Sequence, residues 1–243
     1  MARTDTTAAA TGLDTTTSPR DLRSFWRIVL AVVAVVPTTA KGIWYVLIPI
    51  NQDADFRDTV ASYGAHRSLV AGLEWLDAVF MVTLVPAVLA VAWTTRRRAP
   101  RMTTAGLLLA GGGVLAGLTL LSGPNTLAML TVQHDLDFAT MSKLSDVVEG
   151  DPMMLAAAGL FLSGIVFGLA LLGGALWRGR VAPAWMGIAL IVGGITHPFL
   201  PGHVAQGIGL LVASAGFAGA TLALLRLRND DFDLPPVAAT RVA

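Results

Sequence analysis

The chain contains no cysteine, so disulfide staples, thiolate metal sites and cysteine nucleophiles are excluded at the outset. Charge is scarce too: 14% of its 243 residues are Asp, Glu, Lys or Arg, against about 25% in an ordinary soluble domain. The net charge is only +1 and the basic residues are dispersed in short groups. That argues against a nucleic-acid partner, which requires a clustered basic face. No Walker motif or dinucleotide fingerprint occurs, and the glycines between residues 102 and 122 follow no strand. Lysine is rare: fifteen of the seventeen basic residues are Arg. With abundant Ala, Gly and Val, this reads as a GC-rich bacterial source.

What is present is apolar. Hydrophobic residues make up 54% of the chain, and the mean hydropathy is +0.67. The fold class expected is all-α: a polytopic membrane protein, a bundle of six transmembrane helices with both termini cytoplasmic. Expected spans are 28–50, 69–94, 102–122, 153–177, 183–200 and 203–225; about 20 apolar residues cross a bilayer core about 30 Å thick. Residues 1–23 are too polar to offset their ordering entropy and read as a disordered cytoplasmic segment. Residues 24–228 form the transmembrane domain, and 229–243, with Pro235-Pro236, read as a loose cytoplasmic tail. A cleaved signal peptide is the rival reading of the first run, but apolar residues continue well past the weak Thr38–Ala40 site.

Orientation follows from the arginines. With both ends inside, 13 of 17 basic residues are cytoplasmic, leaving Lys41, Arg57, Arg67 and Lys143 elsewhere. Trp26, Trp93, Trp177 and Trp185 then fall near inner ends, Trp44 and Trp75 near outer ends, as interfacial belts require. Gly113-x-x-x-Gly117, Gly164-x-x-x-Gly168 and the Ala205, Gly209, Ala213 series give small-residue faces for close helix packing or for a homodimer. Asp151-Pro152 is an N-cap followed by a proline at the first helical position. Residues 123–151 form a long connector in which Met141, Leu144 and Val148 define one face of an amphipathic surface helix.

Gly72-Leu73-Glu74 opening the second span, the arginine stop at Arg96–Arg98 and Arg101, and Arg180-Val-Ala-Pro183-Ala-Trp185 launching the fifth resemble a family of small six-span bacterial integral membrane proteins of unknown function. The likeness covers roughly residues 25 to 225 and implies a multi-pass protein of the bacterial plasma membrane. It implies no activity, cofactor or site.

Chemistry must come from the ionisable groups inside spans, which cost roughly 2.5–3.5 kcal/mol each to insert and so demand partners. At 1.5 Å per residue, Lys41 lies about 13 Å below the outer surface in span 1, and Asp77 about 12 Å down span 2. Equal depth on neighbouring helices predicts a Lys41–Asp77 ion pair, with Glu74 one turn nearer the outside. His197 and His203 flank a proline-rich turn, and Gln206 follows one turn later. Lys41, Glu74, Asp77, His197, His203 and Gln206 therefore make the candidate outward-facing polar pocket, for a small solute or for assembly with a partner. The alternative is a small intramembrane or surface-facing enzyme with Glu74 or His203 as general base, or a His-carboxylate metal site. Neither a cofactor nor a metal is expected, and the catalytic residues of any enzyme are unassigned. Ser163 is no nucleophile for His203, because it lies about 16 Å deep while the imidazole sits at the mouth.

Overall fold

A computed structural model describes residues 21–233, and every regular element among them is helical. Span 1 starts earlier than expected, as α1 (Arg23–Val33), and resumes as α2 (Val36–Leu47). Pro37 has no N–H to return to the Val33 carbonyl, so the helix is interrupted at Ala34 and Val35 and continues from there. The polar segment after it holds a helix the sequence reading missed, α3 (Phe56–Ala65), capped by Asp55, which accepts from the Asp58 N–H at 2.8 Å. Next comes α4 (Arg67–Thr95), 29 residues long, which carries Pro86 without breaking.

Pro100 opens α5 (Pro100–Gly117), which tightens into a 3₁₀ turn, Leu118–Ser122. The long connector is two helices, α6 (Pro124–Gln133) and α7 (Phe138–Gly150). The face of α7 differs from expectation: Met141 and Ser145 are buried, whereas Leu144 is exposed. Asp151 caps α8 (Pro152–Ser163) as expected, accepting from the Met153 and Met154 N–H groups at 2.8 and 3.1 Å. A five-residue π-turn, Gly164–Gly168, joins it to α9 (Leu169–Gly179), which ends at Arg180 in the left-handed conformation, φ +50. α10 (Ala184–Thr196), a 3₁₀ turn (His197–Phe199), α11 (His203–Arg226) and the short α12 (Asn229–Phe232) complete the order.

Five of these stretches are long and apolar enough to cross a membrane: Arg23–Leu47, Arg67–Thr95, Pro100–Gln133, Pro152–Gly179 and His203–Arg226. The remaining expected span, Ala184–Phe199, is apolar but shorter. Large apolar side chains face outward along the long helices; Val82 and Leu108 expose 76% and 71% of their surface. A soluble monomer rarely shows apolar surface on this scale, whereas lipid tails would cover it.

The core runs through the bundle between α4, α5, α9, α10 and α11, with Leu84, Val88, Leu172, Leu176, Leu190 and Phe217 essentially inaccessible. Small residues set its closest crossings. A methyl added at Gly113 would lie 2.7 Å from the Gly164 Cα, and one at Gly168 would lie 2.5 Å from the Ala110 nitrogen. The two glycine motifs thus meet each other, α5 against the π-turn. Gly209 packs against His197, and Ala213 against Gly193. Gly113, Gly164, Gly168, Gly209 and Ala213 thus serve packing within the chain.

The tail departs from expectation. Residues 229–233 dock rather than hang loose: Phe232 is buried with Ala31, Ala34, Ala90 and Leu224. Its carbonyl accepts from Trp93 Nε1 at 3.0 Å and Arg96 Nη2 at 2.7 Å. Asn229 bonds Ser24, and Arg27 donates to the Leu227 carbonyl. The start of α1, the end of α4 and the end of α11 therefore share one arginine-rich end of the bundle. The rest of the tail and residues 1–20, where disorder was expected, lie outside the described residues.

If the α5–π-turn crossing is as tight as this, Gly164→Val will cost about 1–3 kcal/mol by overpacking. Gly159→Ala, which meets nothing within 4 Å, should be neutral or stabilising by up to about 1 kcal/mol. Thermal melts in detergent read the difference; equal melts for both variants would contradict the crossing.

Candidate functional site

Lys41 lies on α2 and Asp77 on α4, and the two helices pack along their length. Both side chains point into that seam: Lys41 Nζ donates to Asp77 Oδ1 at 2.5 Å. The lysine side chain is 15% exposed and the aspartate 33%. Three aromatic rings surround the ammonium, with Trp44, Tyr45 and Phe80 centroids at 3.9, 5.4 and 5.6 Å. Carboxylate on one side and ring faces on the others compensate the desolvation that a buried cation would otherwise suffer.

The pair is not sealed. On one side of Asp77 a cleft of about 380 Å³ opens between α4, the 3₁₀ turn after α5, α6 and α3. Glu74 and Asp77 border it with Asn125 and Thr126 from the first turn of α6; Trp44, Tyr63, Met81 and Met129 are among its apolar walls. A second cleft, about 440 Å³, reaches Lys41 and Asp77 from the α7–α8 side and carries Glu149 at its edge. A small cavity of about 70 Å³ continues inward past Lys41, between Thr38 on α2 and Ile165 in the π-turn. Tyr63, on α3, lines the first cleft; burial, helped by the Asp77 charge, pushes its phenol up to about 12, so it remains neutral.

The six candidate residues do not share one pocket. Lys41, Glu74 and Asp77 border the clefts, and Glu74 forms neither ion pair nor hydrogen bond among the described residues. His197 touches the small cavity, its Nδ1 3.1 Å from the Gln206 carbonyl and its ring edge-on to Tyr45 at 5.1 Å. His203 and Gln206 instead hold the turn between α10 and α11. Gln206 Nε2 donates to the Leu200 carbonyl at 3.1 Å. Both His203 ring nitrogens are buried without a well-formed hydrogen bond, next to Trp44 and Tyr45. Tyr45 packs against both histidines and the ammonium, and His197 shares the small cavity with Lys41, whereas His203 and Gln206 line none of these three spaces.

No group of three His, Asp or Glu side chains suited to a metal ion occurs among the described residues. The His-carboxylate alternative therefore lacks its ligands. Asp135 of the outer connector pairs with Arg67 at 3.0 Å, and Asp137 caps α7 by accepting from the Thr140 N–H and hydroxyl. Those hydrogen bonds hold the Asp137 carboxyl below its usual range. Neither Glu74 nor His203 has a well-formed hydrogen-bond partner among the described residues. Ser163 donates back to the Gly159 carbonyl at 2.7 Å, an ordinary helix serine.

Comparison with models of protein families, with curated proteins and with solved structures returned no match. The site is therefore read from its own geometry.

Sequence reasoning missed the aromatic surround. Trp44 and Tyr45 fall three and four residues after Lys41, the spacing that stacks side chains on one helix face, so this part was detectable. Trp44, expected at an interface, is 7% exposed and buried beside Lys41. Asn125 and Thr126 carried no such signal, because their position depends on α6 folding back over the bundle.

A double-mutant cycle tests the pair. Asp77→Ala strands the ammonium and should lower the melting temperature more than the Lys41→Ala, Asp77→Ala double variant does, with a coupling of about 0.5–3 kcal/mol. Strictly additive losses would show that the two groups do not interact.

Proposed function

We propose that this chain is a six-span protein of the bacterial plasma membrane, with both termini cytoplasmic. Its outward half carries a binding cleft for a small amphipathic solute. The observation that carries the binding reading is that the Lys41–Asp77 pair borders open clefts instead of being closed over by packing. Closure raises a pair's Coulomb attraction and its desolvation cost together, so packing alone gives no reason for open volume on two sides of it.

The solute class follows from the lining. The first cleft is mostly apolar; its polar side chains include Tyr63, Asn125 and Thr126, which donate and accept, and Glu74 and Asp77, whose carboxylates only accept. Asp77 is neutralised by Lys41; Glu74 is not neutralised by any described residue. An amine or other donor-rich head on an apolar body complements this arrangement, and about 380 Å³ falls within the range of small-molecule sites.

Several observations support six crossings. α10 packs against both α9 and α11 and is joined to each by a short turn. The described ends of the chain meet through Ser24 and Asn229, as an even number of crossings requires. The arginine bias supports the cytoplasmic assignment. Membership of the small six-span bacterial family, suggested by Gly72-Leu73-Glu74 and Arg180–Trp185, belongs to the same reading.

Because cysteine is absent, single cysteines report topology without background. Asp58→Cys and Asp146→Cys should react with a membrane-impermeant maleimide in intact cells, and Arg98→Cys and Arg228→Cys only after permeabilisation. Labelling of 58 and 98 from the same side would refute the six-span topology. For the cleft, Ala78→Phe adds bulk to the wall of the first cleft from an exposed position. Native mass spectrometry of the wild type is expected to retain a small amphipathic adduct that Ala78→Phe loses at unchanged melting temperature. A wild type that never carries an adduct, and binds no alkylamine added to it, would contradict the binding reading.

A further inference from the structure

The opposite end of the bundle holds a second cleft of about 410 Å³, unrelated to the Lys41 site. Arg96, Arg97 and Arg98 from the end of α4 line it with Arg180 from the turn after α9 and Arg226 from the end of α11; Asp231 is its one acid. We propose that this cleft binds a phosphate group, either on a lipid headgroup or on a free phosphate ester.

The arginines are arranged as a site, not scattered along a rim. Arg96 is fixed by stacking on Trp93, 3.9 Å from the ring centroid, and by donating to the Trp93 and Phe232 carbonyls. Its Nε is buried and has no partner. Arg97 donates to the Asp233 carbonyl. Arg98, Arg180 and Arg226 form no ion pair among the described residues, and all three are exposed. Five guanidinium groups against the carboxylates of Asp231 and the nearby Asp233 leave the cleft with an excess of positive charge, which an anion would offset. Guanidinium forks bind phosphate oxygens two at a time.

Three separate helix ends supply these groups, and tertiary contacts hold them at one level. Arg180 reaches the cleft because the chain turns left-handed there, φ +50, and Gly179 lets the Arg98 stem pass: a methyl at Gly179 would lie 3.0 Å from the Arg98 Cβ. The cleft sits where the apolar helices end, the level at which a bilayer presents its headgroups; basic pockets between helix ends are suited to anionic lipids. This inference requires that the helices cross a bilayer and is independent of the solute cleft and of which side is cytoplasmic.

The test uses the full chain in non-ionic detergent, with phosphatidylglycerol, phosphatidylcholine or glycerol phosphate added, read by native mass spectrometry and thermal melts. Phosphatidylglycerol, with its net negative headgroup, should be retained at least about tenfold better than zwitterionic phosphatidylcholine. The variant combining Arg98→Gln, Arg180→Gln and Arg226→Gln should lose that preference, and Arg57→Gln with Lys143→Gln should keep it. Stabilisation by glycerol phosphate alone, lost in the triple variant, would support the phosphate site with a soluble source. Equal retention of the two lipids without a glycerol phosphate effect overturns the proposal, as does a triple variant that still prefers phosphatidylglycerol. Should the triple variant fail to fold, the single substitutions decide: each should weaken retention, and three unchanged singles overturn the site.

Discussion

One charge in a greasy seam dictates most of this architecture. An ammonium on α2 can remain charged at membrane depth only if a carboxylate on the neighbouring helix reaches it, and Asp77 does so at 2.5 Å. That requirement fixes the rotation of α2 about its axis and the register of α2 against α4. Trp44 and Tyr45 follow, because residues three and four positions on from Lys41 must share its face. Tyr45 in turn packs His197 and His203, so the turn between α10 and α11 is seated by the same helix face. The interruption at Ala34–Val35 lies upstream of the lysine, and a hydroxyl cluster fills the seam beside it: Ser214 donates to Thr38 at 2.8 Å and accepts from Thr39 at 3.1 Å.

Around that seam the bundle uses two different means of closure. Between α5, α8 and α9 the backbones meet directly through Gly113, Gly164 and Gly168, where dispersion and close approach replace a hydrophobic drive that lipid does not provide. At the arginine-rich end, closure is polar. The Phe232 carbonyl collects Trp93 and Arg96, and Asn229 ties α12 to Ser24. The charged pair's end is less tightly closed, with open clefts bounded by α3, α6 and α7. A binding role needs such open volume beside its polar groups.

The long helices were legible because their signal is local and repeated. Arginine stops at Arg96–Arg98 and Arg178–Arg180, proline at helix starts and the Asp151 cap all act within one turn of the boundary they set. The Lys41–Asp77 pair was legible from depth alone, since burial of charge admits few solutions. Three features were not. The short helices α3, α6 and α12 are only partly apolar, and Phe232 gains its stability from Ala31, Ala90 and Leu224, which no local pattern connects to it. The face of α7 was misjudged at Leu144 because the helix buries Ser145, a small polar residue, against its neighbours. The six-residue pocket separated into parts because side-chain depth says nothing about which way each group faces: Glu74 borders the first cleft, while Gln206 bonds back to the Leu200 carbonyl.

Lysine occurs only twice, at positions 41 and 143, so selective ¹⁵N labelling in lipid bilayers gives two resolvable ammonium signals for solid-state NMR. The Lys41 signal is expected to be that of a charged ammonium in direct dipolar contact with the Asp77 carboxylate carbon, and to exchange magnetisation with mobile water entering from the cleft. A Lys41 nitrogen that shows no contact to Asp77, or a paired one that sees no water, would contradict the account.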